Sequence, residues 1–466
     1  MNPAIASYLP MIVLACAALA VFTAGALAPS RGRLFRGLAL AGAGAAFFAS
    51  FALPPETAQA LTDTGPLARF FAPLLCALTF LTLLFAGEYA RRRGFERDEF
   101  HALALLAGAG MVLLACARDW VMFSIALETL SLSLYVLIAA RRDKVRSLEA
   151  AVKYFVLGAV ASAMVFMGVA FLYAASGSLD MAASLRVTDG VALTGLALVL
   201  TGLAFKLSLA PLHLWTPDVY QGAPAPVAAF LSGGAKVAVF AALLRLSLAK
   251  APLWDALEPA LWFAAALSLA AGTLGALLQP SFKRMLAYSS VTHVGFLIMA
   301  LMSVKAAGPA PALFAAAALG VMDVAVFGCL GLLSPVDEDA DMVDGLRGLG
   351  FQRPGMAAVL ALALVTLAGL PPTAGFMSKL VVFKAALGAG YLWLSIIGAL
   401  AAVVSLFYVL RVLAALYGAG GGERPELESP GAAGWFAAVL SALGMVWLGV
   451  APAWVLDAAA ALPLLP

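Results

Sequence analysis

Apolar runs of about twenty residues, separated by short polar punctuation, recur along the whole chain and leave it few ways to fold. Backbone inside lipid has no water to bond, so each run must satisfy its own N–H and C=O groups, as an α-helix does. Fourteen such stretches can be delimited, at 8–28, 34–53, 67–87, 100–117, 119–140, 149–174, 191–211, 223–248, 258–278, 285–303, 310–333, 356–386, 391–417 and 433–451. Only Arg118-Asp119 divides the fourth from the fifth, a tight hairpin. Charged residues make up 11% of the 466, against about 25% in a soluble domain. The expected fold is all-α: a polytopic membrane protein with about fourteen transmembrane helices.

The basic residues orient these helices. Loops after odd-numbered stretches carry sixteen of them: Arg31, Arg33, Arg36, Arg91, Arg92, Arg93, Arg97, Arg141, Arg142, Lys144, Arg146, Lys283, Arg284, Arg347, Arg353 and Arg424. Loops after even-numbered stretches carry a handful, among them Arg69, Arg186, Lys250 and Lys305. The positive-inside rule then puts the odd loops in the cytoplasm and both termini outside. The acidic run Asp337-Glu338-Asp339-Ala340-Asp341 falls in a cytoplasmic loop, where it is expected to solvate the loop. No basic residue precedes the first apolar run, which reads as a retained helix rather than a cleaved signal.

Composition also excludes several classes. A net charge of +3 with no basic patch interleaved with aromatics gives no case for nucleic acid. Cys16, Cys76, Cys116 and Cys329 are scattered through apolar runs without a Cys-x-x-Cys spacing, which excludes a conventional iron–sulfur or zinc framework. His101, His213 and His293 are not paired at ligand spacing, which argues against a b-type haem. Redox chemistry is therefore expected to lie outside this chain.

Two stretches are interrupted alike. The seventh reads Lys206-Leu207-Ser208-Leu209-Ala210-Pro211 and continues through His213, Trp215 and Pro217. The twelfth reads Gly369-Leu370-Pro371-Pro372-Thr373-Ala374-Gly375 before Lys379. Proline removes a helix donor and clashes with the preceding turn, and broken backbone at membrane depth survives only where protein or water satisfies it. The breaks are five helices apart, which is the mark of an internal repeat. Stretches 4–8 and 9–13 are expected to form two five-helix repeats, and the odd number of spans in each inverts one against the other. The domain reading is a three-helix segment 1–99, a first repeat 100–248, a second 258–417 and a C-terminal helix 433–466.

Ionisable side chains within these runs carry the chemistry. Each costs roughly 2.5–3.5 kcal/mol at a bilayer centre, so Glu128, Lys206, Lys236 and Lys379 together cost about 10 kcal/mol, comparable to the stability of a domain. The default reading of such residues is a proton or ion path. A buried lysine can be neutral or charged near neutral pH, as a relay requires. Glu149 and Lys153, spaced i,i+4 near the start of the sixth helix, read as a salt bridge or as a regulator of their neighbours. His293 stands in the tenth helix and could bridge the two halves. Asp323 and Arg411 also fall deep, and the sequence does not pair them.

Several strings together resemble one family: Leu127–Leu137 around Glu128, Glu149–Gly158, Phe205-Lys206 with Pro211–His213, Trp215–Pro224, Lys283–Ser290 and Leu370–Phe376. They look like the antiporter-like membrane subunits of respiratory complex I, most like the subunit N branch of bacterial NADH–quinone oxidoreductase. Lysine rather than glutamate in the twelfth helix, and the absence of a long lateral helix after the fourteenth, favour that branch. The resemblance implies a proton-translocating module of the bacterial inner membrane, part of a translocase. Its partners would be other membrane subunits, and FMN, iron–sulfur clusters and quinone would be held elsewhere in the complex. By position it makes Glu128 and Lys206 a switching pair, Lys236 the connecting lysine and Lys379 the terminal residue before the outside exit. Glu149, Lys153 and His293 take secondary roles. Asp323 departs from the family pattern, where that site is uncharged.

Two further readings compete. A cation/proton antiporter would need no electron-transfer partner, but a sodium site calls for carboxylates and carbonyls near a break and this chain offers lysines; a membrane-bound hydrogenase module lies between the antiporter and complex I readings. A structural scaffold would pair its charges, and three deep lysines outnumber one clearly deep glutamate.

Overall fold

A computed structural model describes residues 3–28, 32–54, 61–249, 252–335, 339, 341–418 and 429–460; Arg31, Lys250, Asp337, Glu338 and Arg424 lie outside these. The main helices are α1 (Leu9–Leu27), α2 (Gly32–Ser50), α3 (Pro66–Arg92), α4 (Asp98–Cys116), α5 (Trp120–Ile138) and α6 (Val145–Ser176). Then come a broken pair α7a (Gly190–Leu207) and α7b (Thr216–Gly222), and α8 (Ala225–Leu248). They are followed by α9 (Glu258–Leu278), α10 (Phe282–Met302) and α11 (Ala310–Leu333). A second broken pair, α12a (Pro354–Ala368) and α12b (Ala374–Gly388), precedes α13 (Leu392–Leu416) and α14 (Ala432–Val450). The chain is all-α, as its pattern requires. Among the described residues twelve helices, all but α2 and the halves of the broken pairs other than α7a, are long and apolar enough to cross a membrane.

Local chemistry sets the helix ends. Asp119, half of the expected hairpin, accepts the Val121 N–H and caps α5; Asp189 accepts from Ala192 at the start of α7a, and Ser281 from Arg284 at the start of α10. The seventh helix ends at Leu207, four residues short of the expected 211, because Ser208 takes a left-handed conformation (φ 62°). The twelfth breaks at Gly369, also left-handed (φ 81°).

The helices form an interior and a rim. α8 is buried along its whole apolar length, and α10 and α11 almost so. By contrast fewer than half of the residues of α1, α6, α9, α13 and α14 are buried, and side chains such as Val152, Phe155, Leu400 and Phe407 are exposed. Apolar residues therefore occupy both faces of the rim helices, as lipid on one side and protein on the other demand. Small residues let backbones approach closely inside. A Cβ on Gly233 of α8 would stand 2.7 Å from the Gly320 carbonyl of α11, and one on Gly195 of α7a would stand 2.8 Å from that of Gly168 in α6.

At one end of the bundle the connections after α3, α5, α9 and α11 meet around a pocket bordered by Tyr89, Arg141, Lys144, Lys283 and Asp339. The expectation that the acidic run only solvates its loop fails for its two described acids. Asp339 accepts from Arg93 (3.0 Å), Lys283 (2.9 Å) and the Tyr89 hydroxyl (2.8 Å), and the Arg93 guanidinium stacks on the Tyr89 ring. Asp341 accepts from Gln221 (2.6 Å) and Ser281 (2.5 Å). Two cations buried at the bundle end need a counter-charge, and a flanking loop supplies it. Arg411, expected deep, is exposed near the end of α13, where it donates to the Leu277 and Gln279 carbonyls at the end of α9.

Burial pushes the Asp339 carboxyl up, but Lys283 and Arg93 outweigh it and hold it below the usual carboxylate range. A carboxylate whose pKa is depressed on folding contributes stability above its ordinary range, lost as pH falls through the lowered value. Asp339→Asn should strand Arg93 and Lys283 and cost about 3–5 kcal/mol. Thermal unfolding in detergent near neutral pH checks this: a melting temperature equal to wild type would refute the clamp.

Candidate functional site

Glu128 sits mid-way along α5, and Ser131 and Tyr135 follow on the same helix face, three and seven residues on. Lys206, the penultimate residue of α7a, is 5% exposed and donates to Ser131 Oγ at 2.7 Å and to the Tyr135 hydroxyl at 3.2 Å. Its ammonium also faces the Tyr135 and Tyr154 rings, 5.4 and 5.9 Å from their centroids. Glu128 acts on Lys206 electrostatically without touching it, and Glu128 Oε1 is buried with no hydrogen-bond partner among the described residues. Lys206 is thus held by two hydroxyls of the helix that carries Glu128 and not by the carboxylate itself. The break beside it is sealed by side chains: the Trp215 indole donates to the Phe205 carbonyl, and the Ala210 N–H donates to Ser268 Oγ.

Lys236 follows a π-helical turn, Phe230–Ala235, and is fully buried. It donates to Ser290 Oγ of α10 at 2.7 Å and lies 5.2 Å from the centroid of the Tyr220 ring. Ser290 in turn lies 3.0 Å from Ser232 Oγ, and Ser232 donates to Asp323 Oδ2 of α11. Asp323, unpaired in the sequence, thus belongs to the surroundings of Lys236. His213, in the break of the seventh helix, and His293 both lie within the electrostatic reach of Lys236.

Lys379 of α12b turns back on the break. It donates to the Leu367 carbonyl (3.2 Å) and the Ala368 carbonyl (2.7 Å), among the last of α12a. Terminal helix carbonyls have no intrahelical partner and carry the negative end of the helix dipole, so an ammonium fits there. His293 Nε2 lies 3.3 Å from the same Leu367 carbonyl, so His293 and Lys379 meet on one oxygen. Glu149 and Lys153 form their i,i+4 ion pair at 2.7 Å, extended through Asp218 to Arg284, on an exposed face of α6.

No sequence motif singles out Ser131, Tyr135, Ser232 and Ser290 as partners in these clusters. The one usable signal was helical spacing: Ser131 and Tyr135 share a face with Glu128, and Ser232 shares one with Lys236 four residues on.

Comparison with known proteins decides the family. Residues 117–405 match the model for the NADH:quinone oxidoreductase/Mrp antiporter transmembrane family. The chain belongs to that family. It is 50% identical over 422 residues to NADH-quinone oxidoreductase subunit N 1 of Solidesulfovibrio magneticus, covering 90% of this chain and 91% of the relative. It is 41% identical over 464 residues to subunit N of Geobacter metallireducens, covering 97% and 98%. Among solved structures it resembles a chain of respiratory complex I from Thermus thermophilus with bound aureothin, with a TM-score of 0.84, 33% identity, and 96% and 98% of the two chains covered. A chain of the Mrp complex from Dietzia sp. shares the fold, with a TM-score of 0.84 at 21% identity and coverage of 98% and 97%. The resemblance seen in the sequence motifs holds.

Gly369 tests the geometry of the second break. Its φ is left-handed, and an added Cβ would stand 2.8 Å from Lys379 Cδ and 3.0 Å from its Nζ. Gly369→Ala should therefore cost about 1–2 kcal/mol of strain and displace Lys379 from its carbonyls. A lowered melting temperature is expected, while Gly388→Ala, with open space around its Cβ, should leave it unchanged. Equal stability of the two variants would contradict the packed break.

Proposed function

We propose that the chain is the N-type antiporter-like subunit of a respiratory NADH–quinone oxidoreductase of the bacterial inner membrane. In this reading it moves protons across the bilayer while quinone is reduced in other subunits of the complex. The observation that carries the reading is the state of the three deep lysines. Each is buried, and each donates to hydroxyls or backbone carbonyls instead of ion-pairing with a carboxylate among the described residues. A direct ion pair holds a lysine charged; neutral acceptors leave it free to give up its proton. The names of the relatives and the whole-chain coverage support the same assignment.

Glu128 and Lys206 form the switch: protonating or moving the carboxylate changes the charge felt by the lysine. Lys236 connects the halves, His293 links it across to the second break, and Lys379 releases protons towards the outside. Glu149 and Lys153 tune the entrance from the surface. The chain carries no redox step of its own in this scheme; FMN, iron–sulfur clusters and quinone are assigned to other subunits, and its four free cysteines are dispersed. Other membrane subunits of the complex are its partners.

The two breaks support the proposed pair of inverted five-helix repeats, 100–248 and 258–417, flanked by 1–99 and 433–466. Each break follows a helix ended by a left-handed residue and sits beside a buried lysine. The gathering of Arg141, Lys144, Arg146 and Lys283 at one pocket fits the basic loops lying on one side, with the termini periplasmic.

Lys206→Met and Glu128→Gln in the assembled complex test the assignment. Each should slow proton translocation about tenfold or more, equivalent to a barrier raised by about 1.4 kcal/mol. Wild-type translocation in both variants would refute it.

A further inference from the structure

We propose that Asp323 is the acid partner of Lys236, and that the two exchange a proton through the hydroxyls of Ser290 and Ser232. The inference rests on the reading of Lys236 as a proton carrier and adds a residue and a route to it.

Three interior helices build the cluster: Ser232 and Lys236 on α8, Ser290 on α10 and Asp323 on α11. All four side chains are at most 3% exposed. The contacts form an unbroken line. Lys236 Nζ donates to Ser290 Oγ at 2.7 Å, Ser290 Oγ lies 3.0 Å from Ser232 Oγ, and Ser232 donates to Asp323 Oδ2. Ser290 also lies 3.5 Å from Asp323 Oδ2. The Gly233–Gly320 approach brings α8 and α11 close at this level. A π-helical turn carries Ser232 into the cluster, and such turns recur at functional sites.

The chemistry follows from what separates the charges. A buried carboxylate with no cation nearby is costly, and a buried ammonium equally so, which ties the two together electrostatically. Yet they do not touch, and hydroxyls, which both donate and accept, stand between them. In the transfer, one N–H bond of the Lys236 ammonium breaks and its proton passes to Ser290 Oγ. Ser290 gives its own proton to Ser232 Oγ, and Ser232 gives its own to Asp323 Oδ2. The products are a neutral amine, two unchanged serines and a neutral carboxylic acid. The cluster has no net charge before or after, so Lys236 can lose its charge without leaving a lone anion in the low-dielectric interior. Asp323 thereby lets the connecting lysine respond to its neighbours on either side.

The test uses the assembled complex in sealed membrane vesicles, with assembly followed by native electrophoresis. Asp323→Asn is near-isosteric and removes the proton acceptor; it should slow translocation to about the level of Lys236→Met. Asp323→Glu should restore most of the rate, which a merely structural aspartate would not require. The double variant should be no slower than Lys236→Met alone, because the two residues act as one unit. Wild-type translocation by Asp323→Asn beside an impaired Lys236→Met, or additive losses in the double variant, would overturn this inference alone. Wild-type translocation by Lys236→Met would overturn it together with the reading beneath it. If Asp323→Asn does not assemble, Ser290→Ala decides, since it keeps both charges and cuts the route: slowed translocation supports the exchange and a wild-type rate refutes it.

Discussion

A buried ammonium has lost its water, and everything about this bundle's interior follows from what replaces it. Lys206 has a serine, a tyrosine hydroxyl and two aromatic faces; Lys236 has a serine and a tyrosine ring; Lys379 has two carbonyls released by a broken helix. None of these substitutes carries a full negative charge. They supply neutral oxygens and ring faces to the cation in place of the water it has lost, and none of them is a direct ion-pair partner.

The two breaks reach that arrangement by different means. In the seventh helix the Trp215 indole takes the freed Phe205 carbonyl, so Lys206 is left to the side chains of α5. In the twelfth no such indole intervenes, and Lys379 itself satisfies the carbonyls at the end of α12a, sharing one with His293. A broken helix thus serves once as a scaffold for a lysine and once as its ligand. Close helix approaches at Gly233–Gly320 and Gly168–Gly195 help hold these positions, the first beside the Ser232–Asp323 hydrogen bond between the same two helices.

Much of this was legible in the sequence, because lipid forces each span to announce itself by length and hydropathy. The helical stretches, the two breaks and the burial of Lys206, Lys236 and Lys379 all followed from that constraint. Side-chain direction did not. Arg411 counts as deep along an apolar run, yet it lies five residues from the end of α13 and reaches out to the end of α9. Asp339 reads as one acid in a solvated loop, because nothing local reveals that Arg93 and Lys283, 246 and 56 residues away in the chain, converge on it. Ser290 and Ser232 look like ordinary small helix residues until α8, α10 and α11 are packed together. Partnership across helices is tertiary information, which periodicity along one helix does not contain.

The central claim is that lysines held by neutral acceptors carry protons through the interior, and its most direct test lies at the last of them. Proton translocation by the assembled complex in sealed vesicles can be compared between Lys379→Met and Lys384→Met, the latter an exposed lysine on the same helix α12b. The account predicts that the first variant loses most of its translocation while the second keeps the wild-type rate. Undiminished translocation by Lys379→Met would contradict it.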